Sequence, residues 1–200
     1  CLVEKAVAKL HAGYQSIDQS VTIRHPVERR TSCASTMRDF CGGVGISRDL
    51  HHEEFNSEDW WNTLVELFNN NTKLVANSLK KDDANMEAQG VDAGHAFNIK
   101  QVRQINGFKL LQLHSAYSTR TYTGEWSDRS TLWEQYPQIA STLGIRSKKD
   151  KSYWISYVTF LRCFASIHLC RTFPSSHSRM LEGDWTKTTA GGPYFEQSWS

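Results

Sequence analysis

Nowhere in the 200 residues does an apolar run approach the roughly eighteen that a membrane-spanning helix needs. No charged start followed by an apolar stretch marks a secretory leader. The compartment expected from the sequence is therefore cytoplasmic. A surplus of one charge is missing too: 23 Lys and Arg stand against 21 Asp and Glu, for a formal charge of +2. The basic residues come singly or in pairs such as Arg29-Arg30 and Lys148-Lys149, without the clustered stripe that a phosphate backbone requires, which excludes nucleic acid as the main partner. Five cysteines (Cys1, Cys33, Cys41, Cys163, Cys170) are odd in number and have no Cys-x-x-Cys spacing. That excludes a simple disulfide framework or a zinc ribbon and predicts reduced, mostly buried thiols. Internal repeats and low-complexity segments are also absent. What is present, 39% hydrophobic and 12% aromatic residues, suffices for the core of one globular domain, or one and a piece. The chain starts at Cys1 and stops at Ser200 inside an apparent strand, so a segment of something longer is expected.

Local patterns give a coarse order of elements. Leu2, Val3, Ala6, Val7 and Leu10 recur at helical spacing and Gly13 follows, predicting an amphipathic helix over residues 2 to 12. Residues 15 to 35 read as an exposed connection, and Met37 to Cys41 as a short helical turn ending at Gly42-Gly43. Ser57, with Glu58 and Asp59 after it, reads as an N-cap, and Trp60, Leu64, Leu67 and Phe68 fall on one face of a helix over 57 to 69. Lys73 to Leu79 reads as a strand and 80 to 90 as a charged loop. Asn106-Gly107 between two alternating runs signals a hairpin of strands at 94 to 105 and 108 to 114. Trp133 to Leu143 is loosely helical and 146 to 151 a basic turn. Then come a strand at 153 to 156, a helix at 157 to 164 and a strand at 167 to 173. Trp60, Trp61, Trp126, Trp133 and Trp154 read as core.

Five short motifs then fall in a telling order. Leu2-Val3-Glu4-Lys5-Ala6 with Ala8-Lys9-Leu10 and Tyr14 is similar to LLEKAYAK and its following tyrosine. Asp39 to Val44 is similar to DFTGGV, Gly94-His95-Ala96-Phe97 to GHAY, and Tyr122 to Asp128 to WTGxWSD. Tyr153-Trp154-Ile155-Ser156 with Phe160-Leu161 is similar to FWMSxxDFL. Over residues 1 to 173 the chain resembles the calpain family of cysteine proteases, chiefly the second subdomain of the papain-like core, with the feel of atypical plant and protist members. Gly183-Asp184-Trp185 and Thr189 to Gly192 look like the opening of the β-sandwich that follows that core.

The resemblance implies a cysteine nucleophile in a first subdomain, a histidine base and an asparagine that orients the imidazole. It places His95 as the histidine, Ser115 at the asparagine position and Tyr117 at the position of the tryptophan that shields their bond. Ser115 has a hydroxyl shorter than a carboxamide, and no cysteine here has the neighbours of the nucleophile's QGxxGDCW motif. If Ile105 pairs with Phe108, strict alternation sets His114 rather than Ser115 on the His95 side, unless a bulge intervenes. For calcium, Asp128 and Asp150 match family ligand positions, while Thr121 and Ser152 stand where the family has glutamates. Calcium takes six to eight oxygens, several of them carboxylate, so weak or no binding is expected, and no other cofactor is implied. His51-His52-Glu53-Glu54 reads as a solvated loop rather than a metal site. Ser127 and Asp128 lack the nucleophile elbow of a serine triad.

The expected fold is α+β: an antiparallel twisted sheet carrying the 94 to 114 hairpin, flanked by the 2 to 12 and 57 to 69 helices. The expected domains are a core at 1 to 173, a linker at 174 to 178 and a truncated sandwich at 179 to 200. The expected function is that of a catalytically degenerate calpain-like module with a structural or binding role in an intracellular, cytoskeletal assembly, this chain by itself being inactive. The alternative is part of an active calcium-dependent endopeptidase whose cysteine lies upstream. Expected partners are proteins: the upstream protease subdomain, assembly neighbours, or a competent calpain occupied in trans.

Overall fold

A computed structural model of the chain describes residues 2–10, 33–79, 89–115, 120–145 and 152–173. Helices α1 (Leu2–Leu10) and α2 (Cys33–Cys41) precede strand β1 (Val44–Asp49). Helix α3 (Ser57–Asn69), strand β2 (Lys73–Ser78) and the hairpin β3 (Ala96–Ile105) and β4 (Phe108–His114) follow. Two short helices, α4 (Leu132–Gln135) and α5 (Pro137–Leu143), lead to β5 (Tyr153–Ser156), α6 (Tyr157–Cys163) and β6 (Phe164–Arg171). The strands form one six-stranded sheet, β1-β6-β2-β3-β4-β5, with every pairing antiparallel. This is the α+β fold expected.

Alternation along the strands gives the sheet two working faces. Leu74, Ala76, Phe97, Ile99, Val102, Leu111, Leu113, Ile155, Ile167 and Leu169 enter a large core with Trp61, Leu64 and Leu67 of α3 and Tyr157 and Phe160 of α6. On the other face Leu110 and Trp154 join Trp126, Trp133 and Ile139 in a smaller core under α4 and α5. Four of the five tryptophans expected in the core are buried, and Trp60 is half-buried.

The hairpin turns as expected: Asn106 and Gly107 both have positive φ, 50° and 83°, which lets two residues connect strands of right-handed twist. Helix α3 keeps its expected span, but its cap is one residue earlier. Asn56, not Ser57, accepts from the backbone N–H groups of Glu58 and Asp59. The buried face is correspondingly Trp61, Leu64 and Leu67. Trp61 is fixed from several sides, donating to Gln104 Oε1 at 2.8 Å and packing on the Tyr157 ring at 4.9 Å. The Tyr157 hydroxyl donates back to the Ser57 carbonyl at 3.0 Å, so α6 holds the start of α3.

The helical turn before Gly42 is longer than expected. The 37 to 41 turn is the second half of a nine-residue helix from Cys33. Strand β1 carries little alternating signal because, as an edge strand, it leaves Val44 and Ile46 about half exposed, 52% and 46%. The predicted loop at 80 to 90 (apart from Gln89 and Gly90), the 146 to 151 turn, the linker and the sandwich start lie outside the described residues.

Candidate active site

Gly94-His95 enters the sheet at the end of β2. Gly94 takes φ +70° and donates its N–H to the Leu79 carbonyl at 2.9 Å. Ser78 then holds His95 on both sides: its backbone N–H donates to the His95 carbonyl at 2.9 Å, and its hydroxyl oxygen accepts from the His95 N–H at 2.9 Å. The same hydroxyl donates to the Asp92 carbonyl at 2.7 Å, closing the turn that precedes the histidine. Ser78 is buried and sits at a register shift between β2 and β6. The Asp92 carboxylate lies 3.5 Å from Arg120 Nε, which ties this turn to the segment leading into Tyr122. The His95 residue itself is exposed.

The hairpin contains the bulge on which the placement of Ser115 depends. From Ile105↔Phe108 to Gln101↔Gln112 the pairing is regular, and then it shifts so that Ile99 faces Leu113 and Asn98 faces His114. Lys100 is the extra residue. One unpaired residue inverts the faces beyond it, so His114 lies on the Asn98 side. Continuing the register sets Ser115 across from Phe97, on the side that position 95 shares by alternation. Ser115 is 3% exposed, and among the described residues its hydroxyl has no hydrogen-bond partner. The register thus sets Ser115 on the His95 side of the sheet, with no hydrogen bond joining it to the imidazole. Tyr117 lies outside the described residues.

The calcium positions are not assembled from described residues. Asp128 and Thr121 are exposed, Asp150 lies outside the described residues, and Ser152 is buried. The Ser152 oxygen accepts from Gln112 Nε2 at 3.3 Å, and Gln112 in turn accepts from Gln101 Nε2 at 3.0 Å. A neutral amide ladder therefore occupies the position where the resemblance would put a carboxylate. Among the described residues no group of three His, Cys, Asp or Glu side chains is placed to hold a metal ion.

Neighbouring features have structural explanations. Tyr122 stacks on Tyr153 at 4.6 Å and donates to the Glu125 carbonyl at 3.1 Å. Burial drives both phenols well above the ordinary tyrosine range, so they stay neutral. Trp126 takes φ +64°, uncommon for a bulky residue, and packs on Trp133 at 4.7 Å. Trp133 Nε1 donates to the Ser127 carbonyl at 2.7 Å, and the Ser127 residue is buried. His51 is less idle than a solvated loop residue, since its Nε2 bonds the Phe164 carbonyl at 2.9 Å.

A second polar cluster lies under α2. Asn77 Nδ2 sits 3.0 Å from His168 Nε2, and Ser47 Oγ 2.8 Å from His168 Nδ1. An amide nitrogen can only donate, so Nε2 accepts and the proton is on Nδ1, directed at Ser47. Cys33 Sγ donates to Asn77 Oδ1 at 3.4 Å, consistent with that orientation of the amide. Burial lowers the His168 pKa and raises that of Cys33, so both groups rest neutral. Nothing in the sequence pointed to Ser78 or to this cluster. Their partners are 14 to 121 residues apart along the chain, and no local pattern encodes such pairings.

An antiparallel α+β sheet domain, entered by a Gly-His step and carrying a bulged hairpin, defines the class. The pattern of the family described as calpain family cysteine protease matches residues 1–171, and the chain belongs to that family. It is 28% identical over 203 residues to the calpain-type cysteine protease DEK1 of Zea mays, covering 99% of this chain and 9% of that protein. Against Calpain-A of Drosophila melanogaster it is 27% identical over 218 residues, covering 96% of this chain and 24% of the other. Against Calpain-5 of Mus musculus the identity is 26% over 215 residues, with 93% and 32% covered. The chain thus spans between about a tenth and a third of these relatives. No helix among the described residues is long and apolar enough to cross a membrane.

Proposed function

We propose that this calpain-family core is catalytically degenerate and serves as a binding or structural module in an intracellular assembly, with the cytoskeleton as the setting to test first. The observation that carries the reading is Ser115: at the position where the family resemblance calls for an imidazole-orienting carboxamide, it has a buried hydroxyl with no partner among the described residues. An imidazole without its orienting partner loses the tautomer and ring position on which thiol activation depends. Calcium has no role in this reading, because Thr121 and Ser152 replace acids and Gln112 already occupies the Ser152 oxygen.

The test is made on the full-length protein, with a fluorogenic peptide substrate and a thiol-directed probe of the calpain family, with and without calcium. The expected result is neither turnover nor labelling, together with co-sedimentation on actin filaments or microtubules. Peptide hydrolysis that disappears in a His95→Ala variant would overturn the proposal. That outcome belongs to the second reading, an active endopeptidase, which is favoured by the Ser78 contacts at His95 and by the bulge that sets Ser115 on its side.

A further inference from the structure

The end of α2 brings an exposed thiol onto a buried one. Cys170 is 0% exposed in β6, where it pairs with Gly45 on one side and Lys73 on the other. It alternates with Leu169 and so lies on the face covered by α2 rather than in the large core. Ala34 of α2 is buried, and its carbonyl rests against Gly45, the pairing partner of Cys170. Cys41 is seven residues further along α2, two helical turns on and so on the same side of the helix. The chain then turns at Gly42, φ +66°, and crosses directly over Cys170. A side chain at Gly43 would run into the Arg171 carbonyl and come within 2.9 Å of Cys170 Sγ, so only glycine lets the backbone pass this close. The Cys41 side chain and the Gly43 N–H both lie close enough to the Cys170 thiol to shift its protonation. Neither cysteine is in a disulfide.

We propose that Cys41 and Cys170 form a peroxide-responsive dithiol, in which Cys41 is oxidised first and Cys170 resolves it to an intrachain disulfide that staples α2 to β6. The Cys41 thiolate attacks one oxygen of hydrogen peroxide and the O–O bond breaks. The departing hydroxide takes a proton to leave as water, giving Cys41 sulfenic acid. The Cys170 sulfur then attacks the Cys41 sulfur; the S–S bond forms, the S–O bond breaks, and the hydroxide leaves with the Cys170 proton as a second water. Two thiols lose two electrons and one peroxide becomes two waters. Two features suit Cys170 to resolving rather than to first attack. It is closed to solvent, and burial, followed by the neighbouring Cys41, raises its pKa while the Gly43 N–H and the Arg38 charge lower it. The second step is therefore expected to quicken as pH rises. This pair is separate from His95 and Ser115, and the inference stands whichever reading of that site holds.

The experiment is a hydrogen peroxide titration of the full-length protein, with alkylation of remaining thiols, digestion without reductant and mass spectrometry. Reduced Cys41 and Cys170 peptides are expected to decline together, replaced by one linked peptide that dithiothreitol returns to both. The linked species is expected to vanish in Cys41→Ser, an exposed change that spares the core, and in Cys170→Ala. Accumulation of Cys41 sulfinic acid with Cys170 still reduced would overturn the proposal. So would linkage of Cys170 to Cys33 or Cys163.

Discussion

His95 and Ser115 stand on the same side of the sheet, at adjacent ends of a bulged hairpin, and are supported in opposite ways. Around His95 each backbone polar group has a partner: Ser78 takes the N–H and the carbonyl, and Leu79 holds the preceding glycine. Leading to Ser115 the backbone is in register up to His114, but the side chain ends in a buried hydroxyl with no partner among the described residues. The contacts at His95 also close β3 onto β2, so folding alone demands them. A side chain whose only task is to orient an imidazole contributes nothing to the sheet, and its loss leaves the fold intact.

The largest effect is expected at Phe97, two residues after His95 in β3. Its ring is fully buried and meets Phe164 at 5.3 Å and Tyr153 at 6.4 Å, both edge-on. Phe97→Ala is expected to cost about 3–5 kcal/mol in denaturant unfolding. A much smaller loss would mean that the two ends do not share a core. Next in size is Ser78→Ala, which removes a hydroxyl and leaves the His95 N–H and the Asp92 carbonyl without partners. A loss of about 1–3 kcal/mol is expected. If unfolding is unchanged, the His95 entry is held by something other than Ser78.

Acid sharpens the contrast between a satisfied buried polar group and an unsatisfied one. His168 is neutral and fully bonded, with its pKa lowered by burial. As pH falls through 6.5, the ordinary histidine value, the unfolded chain binds a proton before the folded one does. The stability present above that pH is therefore lost progressively below it, down to the folded pKa. A His168→Gln variant is expected to flatten the slope of unfolding free energy against pH between neutrality and pH 5, a window set by the ordinary histidine value. An unchanged slope would place the titration elsewhere.

Much of this architecture is local in origin and was legible from the sequence. The Asn106-Gly107 turn, the amphipathic stripe of α3 and the short strand-helix pair at 153 to 163 each carry their signal within a few residues. What was hidden is of two kinds. β1 is an edge strand whose exposed face blurs its alternation, while the cap of α3 is local: Asn56 and Ser57 are both good caps, and the Asn56 carboxamide is the one that accepts from the Glu58 and Asp59 N–H groups. The site was half legible. Motif order singled out His95 and Ser115, but the sequence left open whether Ser115 or His114 faced the histidine. The extra residue at Lys100 decided it, and nothing about a lysine in a strand announces a bulge.

The smallest predicted effect bears most directly on the comparison. A buried hydroxyl without a partner costs stability relative to a methyl group, because it gave up water and received nothing in return. Ser115→Ala is therefore expected to stabilise the fold by about 1 kcal/mol, in the opposite direction to Ser78→Ala, although both remove the same hydroxyl from a serine buried to within 3%. Paired unfolding curves of the two variants read the difference directly. If Ser115→Ala instead destabilises, its hydroxyl is bonded in solution, with the His95 imidazole as the first candidate. The serine would then be acting for the missing carboxamide, and the case for a degenerate site would lose its main support.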